Sequence, residues 1–200
     1  MIMMKFVAID FETANTADES ICAAGIAVFE DGRLAESKYW LIRPPKGFGS
    51  FRPDWVSDVH GIPHTAVYGK PEFPAIAPEL FARLAAADIV IAHNAPFDMR
   101  KLRGTTKHFG LPCPEFDYLC TLALSRRVWP DLGGYSLDVV AAHIGHELVH
   151  HHALADAEAA GVILLAMMKV KRATGPRALA EMVGVRPVAI GSGWHPLPAR

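Results

Sequence analysis

Apolar and polar positions along this 200-residue chain follow two periods, and the changes of period mark the elements. Lys5–Asp10 (KFVAID) is an apolar, partly β-branched run that reads as a buried strand, and strands follow at Ile21–Phe29 and Ser37–Ile42. Asp31-Gly32 supplies the hairpin turn between the last two. Arg43–Gly69 is rich in Pro and Gly and predicts a long loop with one short helix near Asp54–His60. Helical spacing returns at Ala75–Ala87, then a short apolar strand at Asp88–Ala92. Pro96 stands where a first helical turn would start, which predicts a helix reaching about Phe109.

Beyond it, Phe116–Leu119 reads as a short strand and Thr121–Val128 and Ser136–Ile144 as helices, the second with Ser136 as N-cap. Ala153–Arg172 is the last strong helix. After Gly175 the signal weakens to a short C-terminal helix and an irregular tail, Gly191–Arg200. An antiparallel three-strand opening followed by alternating helix and strand predicts one mixed sheet with helices on both faces. Residues 1–174 are read as one domain, with 175–200 appended.

Composition narrows this picture. Apolar residues make up 51% and charged residues 20%, which fits a packed, water-soluble core. The longest apolar runs, Ile89–Ala92 and Gly161–Met168, are far too short to span a bilayer, and Met1–Lys5 shows no leader pattern, so neither membrane nor secretion is expected. Three cysteines, with no CxxC pair, argue against a disulfide framework or zinc ribbon and predict a cytoplasmic protein. The net charge of −1 does not suit a protein that coats long duplexes through their phosphates. It is compatible with gripping a few nucleotides through bound metal.

Three clusters carry candidate chemistry. Asp10 and Glu12 are two apart at the end of the first strand, so their side chains share a face. Two carboxylates there repel unless a cation compensates, and a hard divalent ion is the natural one; the plainer reading has Glu12 opening a solvated loop. In His93-Asn94-Ala95-Pro96-Phe97-Asp98, Asn94 and Asp98 can both face the strand end across a first helical turn, although an acidic residue there also suits the helix dipole. Third is His150-His151-His152-Ala153-Leu154-Ala155-Asp156. His152 and Asp156 could form an ordinary helix-surface pair. His151, five residues before Asp156 and about 140° round an ideal helix, could share a site only from the preceding loop. Spacing alone leaves both histidines open.

Taken in order, Asp10-Phe11-Glu12-Thr13, His93 to Asp98, and His151-x4-Asp156 resemble the three exonuclease motifs of the DEDD superfamily, in its histidine branch. That branch includes the proofreading epsilon subunit of bacterial DNA polymerase III, ribonuclease T and oligoribonuclease. The resemblance spans about Phe6 to Leu165 and takes in His60-Gly61-Ile62 and Tyr135-Ser136-Leu137. It implies an α/β, ribonuclease H-like fold with a mixed five-stranded sheet whose first three strands are antiparallel. It also implies Asp10, Glu12, Asp98 and Asp156 as metal ligands and His151 as general base. Phe11, Thr13, Asn94 and Phe97 fall among the expected substrate contacts. Phe11 and Phe97 suit either stacking on a terminal base or core packing. Thr13-Ala14-Asn15 departs from the Thr-Thr-Gly of many relatives.

The implied activity is 3′→5′ hydrolysis of single-stranded nucleic acid, DNA favoured, releasing nucleoside monophosphates with two Mg²⁺ ions, which Mn²⁺ should replace. Expected partners are single-stranded DNA or RNA 3′ ends and, by the resemblance, a DNA polymerase. The chain has no glutamine with which to begin a clamp-binding peptide, which favours a stand-alone enzyme. Two rivals stand beside this: a non-catalytic nucleic-acid-binding or polymerase-associated module, and a zinc hydrolase built on His143, His146 and His150 to His152. The helix motif H-E-x-x-H, which would support zinc, is absent.

Overall fold

The computed structural model describes residues 4–148 and 151–191. Val149, His150 and the segment 192–200, which holds nearly all of the expected irregular tail, lie outside the described residues. The first three strands are β1 (Lys5–Thr13), β2 (Ile21–Glu30) and β3 (Arg33–Leu41), followed by helices α1 (Pro53–Asp58), α2 (His64–Val67) and α3 (Phe73–Ala85). Then come β4 (Ile89–Ala92), α4 (Pro96–His108), β5 (Phe116–Cys120), α5 (Thr121–Val128), α6 (Leu137–His143), α7 (Ala153–Lys171), α8 (Pro176–Met182) and β6 (Val188–Ile190).

The strands form one mixed sheet in the order β3-β2-β1-β4-β5-β6. β1, β2 and β3 are antiparallel neighbours, while β4 runs parallel to β1, and β5 parallel to β4. Among the described residues the sheet has six strands, not five. β6 is only three residues long and pairs antiparallel with β5, Phe116 opposite Ile190, so its partner lies far back in the chain and leaves no local pattern. β3 also begins earlier than the sequence suggests, because Arg33 to Ser37 are exposed at the sheet edge and carry polar residues that hide a strand. The short helix α2 was likewise concealed within the Pro- and Gly-rich segment. Ser136 does occupy the N-cap position of α6, but its side chain makes no capping bond. Asp31 and Gly32 both take positive φ (49° and 79°), as a tight hairpin turn requires.

Alternation along β1 divides the core. Phe6 and Ala8 face a cluster that includes Leu124, Val140 and Ile163 from α5, α6 and α7. Val7, Ile9 and Phe11 face the opposite cluster, with Leu80 of α3 and Met99 of α4. Burying each such large side chain contributes on the order of 1.5–3 kcal/mol. By the same alternation Asp10 and Glu12 continue the α7 side of the sheet. α7 is apolar around most of its circumference because it is surrounded, packing on β1, β2, β3 and β4 and on α5, α6 and α8. Among the described residues no helix is long and apolar enough to cross a membrane.

Candidate active site

The end of β1, the first turn of α4 and the start of α7 meet at one cleft of about 430 Å³. Asp10, Glu12, Thr13, Asn94, His151 and Asp156 all line it, as do Phe11 and Phe97. Asp98 lies beneath the lining, 1% exposed, where its Oδ1 accepts the backbone N–H of Phe11 at 3.1 Å. That bond ties α4 directly to β1 between the two carboxylates of the strand. Phe11 is 2% exposed and belongs to the core, whereas Phe97 is half-buried with the Lys101 ammonium 5.1 Å from its ring centre.

The electrostatics of the cluster are repulsive. Burial pushes the Asp10 carboxyl well above the usual carboxylate range, and Asp98, Glu12 and Asp156 push it further. Glu12 rises from 4.5 to about 7, through burial and then the charge of Asp156. Asp98 is also raised by burial, partly offset by the N–H of Phe11, with Glu12 and Asp156 adding to the rise. Gathering four carboxyls at such a cost is the signature of a site for positive charge. The nearby buried ammonium does not supply it, because Lys101 Nζ donates to the carbonyls of Thr16 and Ala17 at 2.8 Å and pairs with Asp18 at 3.3 Å.

The structure separates the histidines. Glu12, His151 and Asp156 each offer one ligand atom within 4.8 Å of the others. His151 takes φ 62°, and its backbone N–H donates to Asp156 Oδ2 at 3.2 Å. This left-handed residue turns the chain just before α7, which is how a histidine five positions from Asp156 reaches the same site. His152 is exposed and stacks on Tyr39 with ring centres 4.6 Å apart. Of the residues weighed for zinc, His143 packs edge-on against Trp129, and His146 lines a separate hollow with Asp138 and Glu147.

Three further residues shape the cleft. His60 Nε2 donates to the carbonyl of Thr13 at 3.2 Å while its Nδ1 accepts the N–H of Ile62 at 3.0 Å, so the ring is held as one neutral tautomer. His93 joins the carbonyl of Tyr135 through Nε2 at 2.8 Å and the Thr121 hydroxyl through Nδ1 at 3.0 Å. It thereby fixes the start of α5 and the segment before α6 against β4. Trp55 of α1 forms part of the cleft wall and was missed in the sequence. Its one signal is a bulky aromatic in an otherwise Pro- and Gly-rich stretch.

Residues 7–164 match the RNase_T exonuclease family. The 3'-5' exonuclease DinG of Bacillus subtilis is 32% identical over 86% of this chain, and the DNA polymerase III subunit epsilon of Aquifex aeolicus is 30% identical over 82%. The match covers 80% of that epsilon subunit but only 18% of DinG. It covers 13% of the PolC-type DNA polymerase III of Caldanaerobacter subterraneus, at 28% identity over 90% of this chain. Among solved structures, Exonuclease X in complex with 5' overhanging duplex DNA superposes with a TM-score of 0.71 at 24% identity, covering 90% of this chain and 99% of that one. The nuclease domain of 3'hExo, a DEDDh family member bound to rAMP, gives 0.73 at 12% identity over 94% and 97%. The chain belongs to the exonuclease family.

Proposed function

We propose that this protein removes nucleoside 5′-monophosphates from the 3′ end of single-stranded nucleic acid, DNA in preference to RNA. The observation that carries the reading is that Asp10, Glu12 and Asp156 line one cleft with Asp98 buried just beneath it, and His151 is within 4.8 Å of Glu12 and Asp156. The donor set is all oxygen and strongly repulsive when alone, which suits Mg²⁺, with Mn²⁺ as a substitute. Asp10, Glu12, Asp98 and Asp156 would hold two such ions. When bound, the ions supply positive charge against the phosphodiester oxygens and lower the pKa of water.

The chain's own groups do the rest. A ring nitrogen of His151 accepts the proton of the attacking water. The water oxygen bonds to phosphorus, the bond from phosphorus to the 3′ oxygen breaks, and the electron pair leaves on that oxygen, which takes up a proton from solvent. The products are a shortened strand with a 3′-hydroxyl and a nucleoside 5′-monophosphate. Thr13, Asn94 and Phe97 line the pocket for the terminal nucleotide, Phe97 as the half-exposed ring on which a base can stack. Phe11, buried beneath, supports the strand from below.

The preference for DNA is supported by relatives whose names speak of DNA polymerase III and by neighbours solved with DNA. The rAMP complex favours RNA as a second reading. The epsilon and PolC-type relatives likewise support association with a DNA polymerase as a partner. The deciding experiment is digestion of 5′-labelled single-stranded DNA and RNA of one sequence, in Mg²⁺ or EDTA. A metal-dependent ladder shortening from the 3′ end is expected, abolished in Asp156→Ala and greatly slowed in His151→Ala, with His152→Ala close to wild type. Damage in His152→Ala alone would reassign the base. No cleavage of either polymer would leave a binding module.

A further inference from the structure

Three arginines lie within about one turn of a residue that lines the cleft: Arg52 before Trp55, Arg100 after Phe97, and Arg126 after Leu122. Two of them already have a carboxylate partner. Arg52 pairs with Asp54 and lies over the Trp55 ring, and Arg100 Nε pairs with Asp18 Oδ1 at 3.0 Å. Arg126 differs. It is exposed, and among the described residues it has no carboxylate partner; its guanidinium lies 5.7 Å over the ring of Tyr135.

That ring is a fixed platform. The Tyr135 hydroxyl donates to the carbonyls of Trp129 and Pro130, both at 2.8 Å, and the Tyr135 carbonyl accepts from His93 Nε2. Arg126 and Leu122 are four apart on α5 and share a face, and Leu122 lines the cleft together with Ser136 and Leu137. A guanidinium held over an aromatic ring, with no carboxylate partner, keeps its planar N–H groups available to match a phosphate. We infer that Arg126 holds a backbone phosphate of the bound strand as it passes over the α5–α6 side of the cleft. The inference rests on the nucleic-acid reading of the cleft but not on hydrolysis. In a chain of net charge −1, one unneutralised arginine beside the site has an outsized share of the steering.

The test is equilibrium binding, by fluorescence anisotropy, of a 5′-fluorescein oligothymidylate with phosphorothioate 3′ linkages, in Mg²⁺ over a range of salt. Arg126→Ala should weaken binding about fivefold at low salt, the upper end for an exposed ion pair. It should also flatten the dependence of log K on log salt by about 0.7, one phosphate's worth for a single strand. Arg126→Lys should keep the wild-type slope, and an oligoadenylate should show the same losses. Arg127, exposed on the same helix about 100° further round, is the control, and Arg127→Ala should keep that slope too. Equal slopes for wild type and Arg126→Ala, or matching losses in Arg127→Ala, would overturn the inference. A wild type that binds the strand yet never cuts an ordinary one would overturn the exonuclease reading alone; failure to bind at all would overturn both.

Discussion

A β-carbon placed on Gly25 would stand 2.3 Å from the carbonyl carbon of Ala153, so the first turn of α7 rests directly on the backbone of β2. Gly25 is the register partner of Asp10 across β1 and β2. Bare backbone there lets the helix that carries Asp156 settle close to the strand that carries Asp10 and Glu12. Further along α7, a β-carbon on Gly161 would meet the Phe29 ring at 2.1 Å.

These two glycines should therefore separate stability from activity. Gly25→Ala and Gly161→Ala should each cost about 1–3 kcal/mol by overpacking, read from denaturant unfolding. Only Gly25→Ala displaces the α7 start, so only it should lower kcat by an order of magnitude or more in the folded protein. Equal kcat for the two variants would contradict this account of how the carboxylates are brought together.

Metal-free protein should lose stability as pH rises. Glu12 in the folded state titrates at about 7 against an ordinary 4.5, so between those values the fold retains a proton that the unfolded chain has released. Asp10 and Asp98 are shifted in the same direction. In EDTA the melting temperature should be highest near pH 5 and fall towards pH 8, and Mg²⁺ should restore most at pH 8. A flat or rising profile would show that the carboxyls do not repel as the structure indicates.

Asp156→Asn removes one of the repelling charges and keeps an oxygen able to accept the His151 N–H. In EDTA at pH 8 it should gain about 1 kcal/mol, roughly 2–4 °C in melting temperature for a chain of this size. Nuclease activity should meanwhile fall by about 10³-fold. Calorimetry beside the digestion assay checks both, and a loss of both stability and activity would count against the repulsion argument.

His60 is expected to behave oppositely with pH. Burial holds it below its ordinary 6.5, so its bonds to Thr13 and Ile62 are intact above that value and fail as pH drops through its folded pKa, because an imidazolium cannot accept the Ile62 N–H. His60→Ala should cost about 1–3 kcal/mol and raise KM more than it lowers kcat, since Thr13 lines the pocket. Steady-state kinetics on a short oligonucleotide, with unfolding measured in parallel, would show whether that split holds.

Much of this was legible in the sequence for one reason: a period-two strand ending in Asp10-Phe11-Glu12 fixes which side chains share a face. The first helical turn after Pro96 similarly placed Asp98. What escaped was long-range or conformational. β6 is stabilised by β5 some seventy residues earlier in the chain, and Trp55 joins the cleft wall from a segment tied back to the end of β1, with the N–H of Arg52 on the carbonyl of Ala14 at 2.9 Å and His60 on the carbonyl of Thr13. That His151 rather than His152 lies beside Glu12 and Asp156 depends on one left-handed backbone angle, which no spacing rule encodes. Lys101, although it neighbours Arg100 and Arg103 on α4, is fully buried and braces the loop after β1, a role its sequence surroundings do not signal.

The outer strand of the sheet has a consequence of its own. Among the described residues β3 has no strand beyond it, and an unpaired edge is a template on which a neighbouring molecule can add a strand. Here that edge carries Arg33, Glu36 and Lys38, and the last two are engaged by Arg83 and Glu79 of α3. A strand arriving there would have to strip water from those charges and disturb two ion pairs. Arg33 and Glu36, which hid the start of β3 in the sequence, thus join Lys38 as a guard against sheet-to-sheet aggregation.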